Sequence, residues 1–235
     1  VKRVAIVGFA ESSREFAPFD DLTVEIWGMN ALYRPGFLKR ADRWFEIHNR
    51  ALIETKLETR RPNGYLDWLR GFPGPVYMQQ GWDDIPTSVR YPLKAVVDLV
   101  GPYLTSTVSM MLGLAILEGF DEISLFGVDM AVEDYQDQRA GAEYLLGFAR
   151  AKGTTILIPE ESPLLNAPIY GYGNLNPEGE HITDEQFATR LDRLQTLRDT
   201  MARDLALLEG RLQETRYWID ATPQGARPEV LAHAG

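Results

Sequence analysis

Residues 103–130 read YLTSTVSMMLGLAILEGFDEISLFGVDM, and their reading decides the fold class. Thr105-Ser106-Thr107 offer the side-chain oxygens that satisfy unpaired amides at a helix start. An apolar run from Val108 to Leu117 follows, closed by Glu118-Gly119. Residues 122–126 (EISLF) are then short, apolar and bounded by turn residues, as a buried strand is. Helix passing straight into strand is half of a βαβ unit. The same stretch raises a question of function. One hydroxyl suffices for a cap, and three ahead of a helix apolar on nearly all sides leave spare donors at the positive end of its dipole, where an anion is favoured. A plain cap and the floor of a ligand site are both consistent with these residues.

Outward from this unit, residues 3–7 (RVAIV), 23–27 (TVEIW), 43–48 (RWFEIH), 75–79 (PVYMQ) and 154–158 (TTILI) read as further strands. Helices are expected over 51–70, interrupted at Pro62-Asn63-Gly64, over 106–118, and over 140–152 with Gly153 closing the last. Strands alternating with helices predict an α/β fold: a Rossmann-like, doubly wound, mostly parallel sheet with helices on both faces. The expected divisions are a nucleotide-binding domain over 1–166, a Pro/Gly-rich linker over 167–182, a C-terminal helical arm over 183–219 and a tail over 220–235. Thr183 with Gln186 three residues on forms a capping box for the arm. Leu191, Arg198, Leu205, Leu212 and Ile219 share one heptad position, and Leu194, Met201, Leu208 and Thr215 the other. That pattern predicts a self-associating coiled coil, hence a homo-oligomer. The alternative is a helix, or a helical hairpin broken near Gly210, lying across the sheet.

Composition sets limits. Across 235 residues, 45% hydrophobic content supplies an ample core, and the absence of cysteine removes disulfides and thiolate metal sites. No apolar run is long enough to span a membrane. Together with an opening strand in place of a signal peptide, this gives a cytoplasmic expectation. A net charge of −10 argues against bulk nucleic-acid binding. Residues 34–70, however, carry nine Lys/Arg against five Asp/Glu. That local excess is either a solvated face or, from Arg34 to Arg70, a surface for a polyanionic acceptor.

Ligands of open α/β sheets bind beyond the carboxyl ends of the strands. There the sequence puts Gly8, Ser12 and Ser13 after the first strand, Asn30 after the second, His48 and Asn49 after the third, and Gly127-Val128-Asp129 after EISLF. The first loop is neither GxGxxG nor a Walker loop. With three histidines, no metal-ligand spacing and no GxSxG, neither a metal centre nor a serine nucleophile is expected. Asp129, Glu133, Asp134 and Asp137 cluster beyond EISLF, where a desolvated carboxylate could serve as a base.

Gly8 and Ser12, Asn30, His48-Asn49, Thr105-Ser106, Gly119-Phe120-Asp121-Glu122-Ile123 and Gly127-Val128-Asp129 together form a pattern over about residues 1–166. It resembles the bacterial lipooligosaccharide sialyltransferases that use CMP-sialic acid, and related Rossmann-like phage proteins. The resemblance implies a metal-independent, nucleotide-sugar-dependent glycosyltransferase without a resident cofactor. The first loop and helix start (Gly8, Ser12, Ser13, Asn30, Asn49, Thr105, Ser106, Thr107) would hold the nucleotide, and Tyr135 would match one of the family's two tyrosines. Here Gly8-Phe9-Ala10-Glu11-Ser12 stands for the family's Gly-Asn-Gly-Pro-Ser, and no histidine lies between Asp129 and Pro159. The family's base is therefore missing, leaving Asp129, Asp137 and His48 as candidates. The acceptor, a glycan or a hydroxymethylated nucleobase, is open. A pyrophosphokinase or phosphotransferase and a non-catalytic nucleotide-binding oligomer are the alternative functions.

Overall fold

The structure is a computed structural model that describes residues 1–55, 64–131, 135–166, 170–171 and 183–221. Seven strands form one parallel sheet: β1 (Arg3–Val7), β2 (Val24–Met29), β3 (Arg43–Phe45), β4 (Val76–Met78), β5 (Ser88–Arg90), β6 (Glu122–Phe126) and β7 (Thr155–Leu157). Their order is β5-β4-β3-β2-β1-β6-β7. After β1 the chain steps outward to β5, then returns to place β6 on the other side of β1. The carboxyl ends of β1 and β6 therefore flank the topological switch point, where such sheets open a crevice. The helices are α1 (Arg50–Thr55), α2 (Tyr65–Gly71), α3 (Leu93–Val100), α4 (Thr107–Leu117), α5 (Gln136–Ala151) and α6 (Asp184–Ala221).

Side chains alternate across the strands, and both faces are covered. Val4, Ile6, Trp27, Met29, Phe45, Ile123 and Leu125 belong to one alternation set, in a cluster that includes Met111, Leu112 and Ala115 of α4. Trp44 pairs in register with Gly28, so it points to the opposite face and packs on Trp68 of α2 with ring centroids 4.4 Å apart. Ala5, Val7, Val24 and Ile26 share that second face and bury against Ala17 and Phe19 of the β1–β2 connection. Trp27, Trp44, Phe45 and Phe120 are all but inaccessible. A side chain of that size contributes roughly 1.5–3 kcal/mol or more on burial. α4 is buried on nearly every side, as its unbroken apolar run requires.

The expected α/β class holds, with differences in detail. β5 and α3 are additions. β5 (SVR) is a three-residue edge strand, mostly exposed, so it carries no alternation to read. β3 ends at Phe45, with Glu46 N still donating to Tyr77 O at 2.9 Å, so Ile47 and His48 extend past the ladder. α5 begins at Gln136, four residues before its expected start, which puts Asp137 in its first turn. The helix expected over 51–70 is described as α1 and α2; residues 56–63, with most of the Pro62-Asn63-Gly64 break, lie outside the described residues, as do Glu133 and Asp134. Most of the expected linker, and the tail after Ala221, lie outside them too.

The chain divides into two compact units, Val1–Ala167 and Pro168–Gly235. In the second, α6 runs unbroken through Gly210, in place of the alternative hairpin. Its start is capped reciprocally: Gln186 N donates to Thr183 Oγ1 and Thr183 N to Gln186 Oε1, at 3.3 and 2.9 Å. Among the described residues, no helix is long and apolar enough to cross a membrane.

Candidate functional site

The loop after β1 is welded to the end of β6. Gly8 N donates to Phe126 O at 2.8 Å and Ala10 N to Gly127 O at 2.9 Å. A Cβ at Gly8 would stand 2.3 Å from Gly127 O, so only glycine permits this crossing. Ser13 is buried and accepts a hydrogen bond from Gly127 N at 2.9 Å. Gly8 and Ser13, both expected to meet a nucleotide, thus serve the backbone junction. Ser12 is the half-buried partner of the pair. Its hydroxyl donates to Asp129 Oδ1 at 2.8 Å, bridging the two switch-point loops. Burial pushes the Asp129 carboxyl above the ordinary aspartate value, opposed by the hydroxyls of Ser12 and Ser162. A half-buried carboxylate held in this way is suited to binding a ligand hydroxyl or taking its proton.

Ser106 and Ser109 close a capping box at the start of α4. Ser109 N donates to Ser106 Oγ at 3.1 Å, and Ser106 N donates to Ser109 Oγ at 2.8 Å. Thr105 Oγ1 donates to Gln138 O of α5 at 3.3 Å. Of the three hydroxyls, Thr107 is the one turned to β2: Asn30 Nδ2 donates to its Oγ1 across 3.5 Å. Asn30 follows β2 in left-handed backbone, φ 50°. Its Oδ1 is buried and has no hydrogen-bond partner. Turning the amide over would exchange the two atoms and still leave a buried polar atom unsatisfied, which ordinarily costs about 1–3 kcal/mol. The first-turn amides Thr107 and Val108 have no acceptor within the helix, by helix geometry. Donors, a positive dipole end and an orphaned acceptor therefore meet at one spot.

At the end of β3, His48 has a built orientation. Glu46 is fully buried. One of its oxygens, Oε1, lies 2.6 Å from His48 Nδ1, and the other accepts from Tyr65 OH at 2.6 Å. Tyr65 OH in turn accepts from Trp44 Nε1 at 3.1 Å. A carboxylate on Nδ1 fixes that nitrogen as the protonated one and leaves Nε2 with the lone pair of a base. Asn49, by contrast, spends its Oδ1 accepting from Leu52 N at the start of α1.

The remaining candidates are outlying. Tyr135 is exposed at the N-cap of α5, with no side-chain capping bond, and Asp137 is exposed two residues on, in the helix's first turn. On the expected polyanion face, four described cations are held in ion pairs: Arg40 with Asp42, Arg43 with Glu25 and Glu118, Arg50 with Glu54 and Asp84, and Arg70 with Asp67 and Asp84. Lys56, Arg60 and Arg61 lie outside the described residues. A depression of about 390 Å³ lies elsewhere, between β7 and residues 164–166, and is lined by none of the site residues expected from the sequence. Among the described residues, no three potential metal ligands converge.

Glu46 and Tyr65 were not anticipated. The signal for Glu46 was present: an acid inside an apolar strand, two residues before a histidine, lies on the same side of extended backbone as that histidine. Tyr65 carried no signal, because its role depends on α2 folding back over β3.

No protein-family model and no curated protein sequence matches the chain. Solved structures with a similar arrangement include the sialyltransferase CstII from Campylobacter jejuni in complex with a substrate analogue, cytidine-5'-monophosphate. The two are 16% identical with a TM-score of 0.47, over 71% of this chain and 83% of that one. CstII in complex with CMP-3FNeuAc gives 16% and 0.47, over 72% and 89%. The apo alpha-2,3-sialyltransferase from the same organism gives 14% and 0.46, over 85% and 95%.

Proposed function

We propose that the protein is a glycosyltransferase that takes a nucleotide-sugar donor at the switch point and uses no resident cofactor or metal. The observation that carries this reading is the Asn30 amide, whose buried, unsatisfied oxygen sits beside Thr107 at the N-terminus of α4. Once the Asn30 amide turns toward the crevice on binding, a ribose hydroxyl or base amino group supplies the donor that oxygen lacks. The first-turn amides of α4 supply the positive end for the phosphate. Ser12 and Asp129, joined across the crevice, offer an acceptor for a further hydroxyl of nucleotide or sugar.

In the transfer, an acceptor hydroxyl attacks the anomeric carbon, the carbon–phosphate-oxygen bond breaks, and the nucleotide leaves with its electron pair. The helix dipole stabilises the charge that develops on the leaving phosphate. His48 Nε2 takes the acceptor's proton, with Glu46 steadying the imidazolium that forms. Of the three candidate bases, His48 is favoured because it alone has a buried carboxylate fixing its tautomer. Asp129 is kept for binding and Asp137 is too exposed to be desolvated. Replacing His48 by Asn should lower kcat about 10²–10⁴-fold while leaving donor affinity unchanged. A variant that turns over normally removes His48 as the base.

A further inference from the structure

α6 presents an apolar seam that its own unit leaves open. Leu191, Leu194, Met201, Leu205, Leu208 and Leu212 are each between 54 and 64% exposed. They repeat with the 3–4 spacing of a two-stranded coil. Two polar residues interrupt the seam, Arg198 at the position shared by Leu191 and Thr215 at that shared by Leu194. Flanking the Leu194 side are Arg190, Leu197, Asp204, Arg211 and Trp218; flanking the Leu191 side are Ala188, Gln195, Ala202, Glu209 and Arg216.

These flanks choose between the ways two copies can pair. A parallel, in-register pair stacks Arg198 on the partner's Arg198. It also sets Asp204 against the partner's Glu209 and Arg211 against the partner's Arg216, so each cross-pair is like-charged. Antiparallel pairing brings like flanks together. When residue i lies level with the partner's residue 413 − i (about 413/2 marking the twofold on a helix rising 1.5 Å per residue), every mismatch is resolved. Leu205 then packs on the partner's Leu208, and Met201 on the partner's Leu212. Arg198 meets the partner's Thr215, so the two polar interruptions share a layer. Asp204 lies beside the partner's Arg211, and Leu197 beside the partner's Trp218. A shift of one heptad, pairing i with 406 − i (again about 1.5 Å per residue), brings Asp204 onto the partner's Asp204 and Arg198 onto the partner's Leu208. We infer that α6 is an antiparallel dimerisation helix, its seam covered by the same helix of a second copy, with Asp204 and Arg211 setting direction and register.

The chain has no cysteine, so Thr196→Cys in the full-length protein accepts one spin label per copy, on the side of α6 away from the seam. In the inferred register Thr196 lies level with the partner's Tyr217. The two labels are then offset along the axis by about 31 Å, at 1.5 Å per residue. Light scattering should report a dimer, and pulsed dipolar spectroscopy a distance above about 30 Å. Asp204→Lys should weaken the dimer about tenfold, and adding Arg211→Glu should restore it. A monomer at micromolar concentration overturns the inference. So does a distance clearly below about 30 Å, since a heptad-shifted pair offsets the labels along the axis by only about 21 Å and a parallel pair by none. Tightening of the dimer by Asp204→Lys alone, the parallel expectation, does the same.

Discussion

Asn30 is the residue on which the site turns. Left-handed backbone costs an asparagine less than most residues, yet the side chain gains nothing in return: one amide atom is weakly bonded to Thr107 and the other has no partner. Replacing it by glycine keeps the backbone conformation and removes the orphan. Asn30→Gly should therefore leave the melting temperature unchanged or raise it, while weakening nucleotide affinity by about tenfold or more, the equivalent of one lost hydrogen bond. A loss of stability with unchanged affinity would make Asn30 a folding residue. The position itself was legible in the sequence, since an asparagine just past a strand marks the carboxyl edge. The orphaned atom was not, because it depends on how closely α4 packs against β2.

At the scale of elements, the start of α4 divides its labour. Ser106 is committed to the capping box, Thr105 to the first turn of α5, and Thr107 to Asn30. A sequence shows three adjacent hydroxyls and cannot show which way each turns; the N-cap position decides, and it falls on Ser106. Ser106→Ala should therefore destabilise the fold by about 1 kcal/mol and change nucleotide affinity little, measured by urea unfolding beside calorimetric binding. A fall in affinity larger than the fall in stability would return Ser106 to the ligand. The same limit applied to the first loop. Gly8 and Ser13 read as a phosphate loop because glycine and hydroxyls are what such loops use, whereas here they let β1 and β6 cross in contact. The strongly apolar elements, β1, β2, β6 and α4, were readable from hydrophobic pattern alone. β5 and α3 were not, since a short exposed edge strand has no buried face to betray it.

For the whole molecule, topology gathers the candidate groups. Returning β6 to the far side of β1 brings Ser12 and Asp129 together, and carrying α4 back across the sheet brings Thr107 to Asn30. His48 arrives at the same edge from β3, oriented by a carboxylate that α2 helps to bury. Residues as far apart in sequence as Ser12 and Asp129 thus form one edge, with an acidic chain around it. The most direct test is the melting temperature of the intact protein with CMP-, UDP- and GDP-sugars and ATP, each with Mg²⁺ and with EDTA. A ligand at a hundredfold excess over its Kd adds about 2.7 kcal/mol, or about 5–10 °C for a unit of this size. One class of nucleotide-sugar should produce that rise equally in Mg²⁺ and in EDTA, and Asn30→Gly should cut it by about half or more. No rise with any nucleotide, or a rise with ATP that requires Mg²⁺, would contradict a nucleotide-sugar site at the N-terminus of α4.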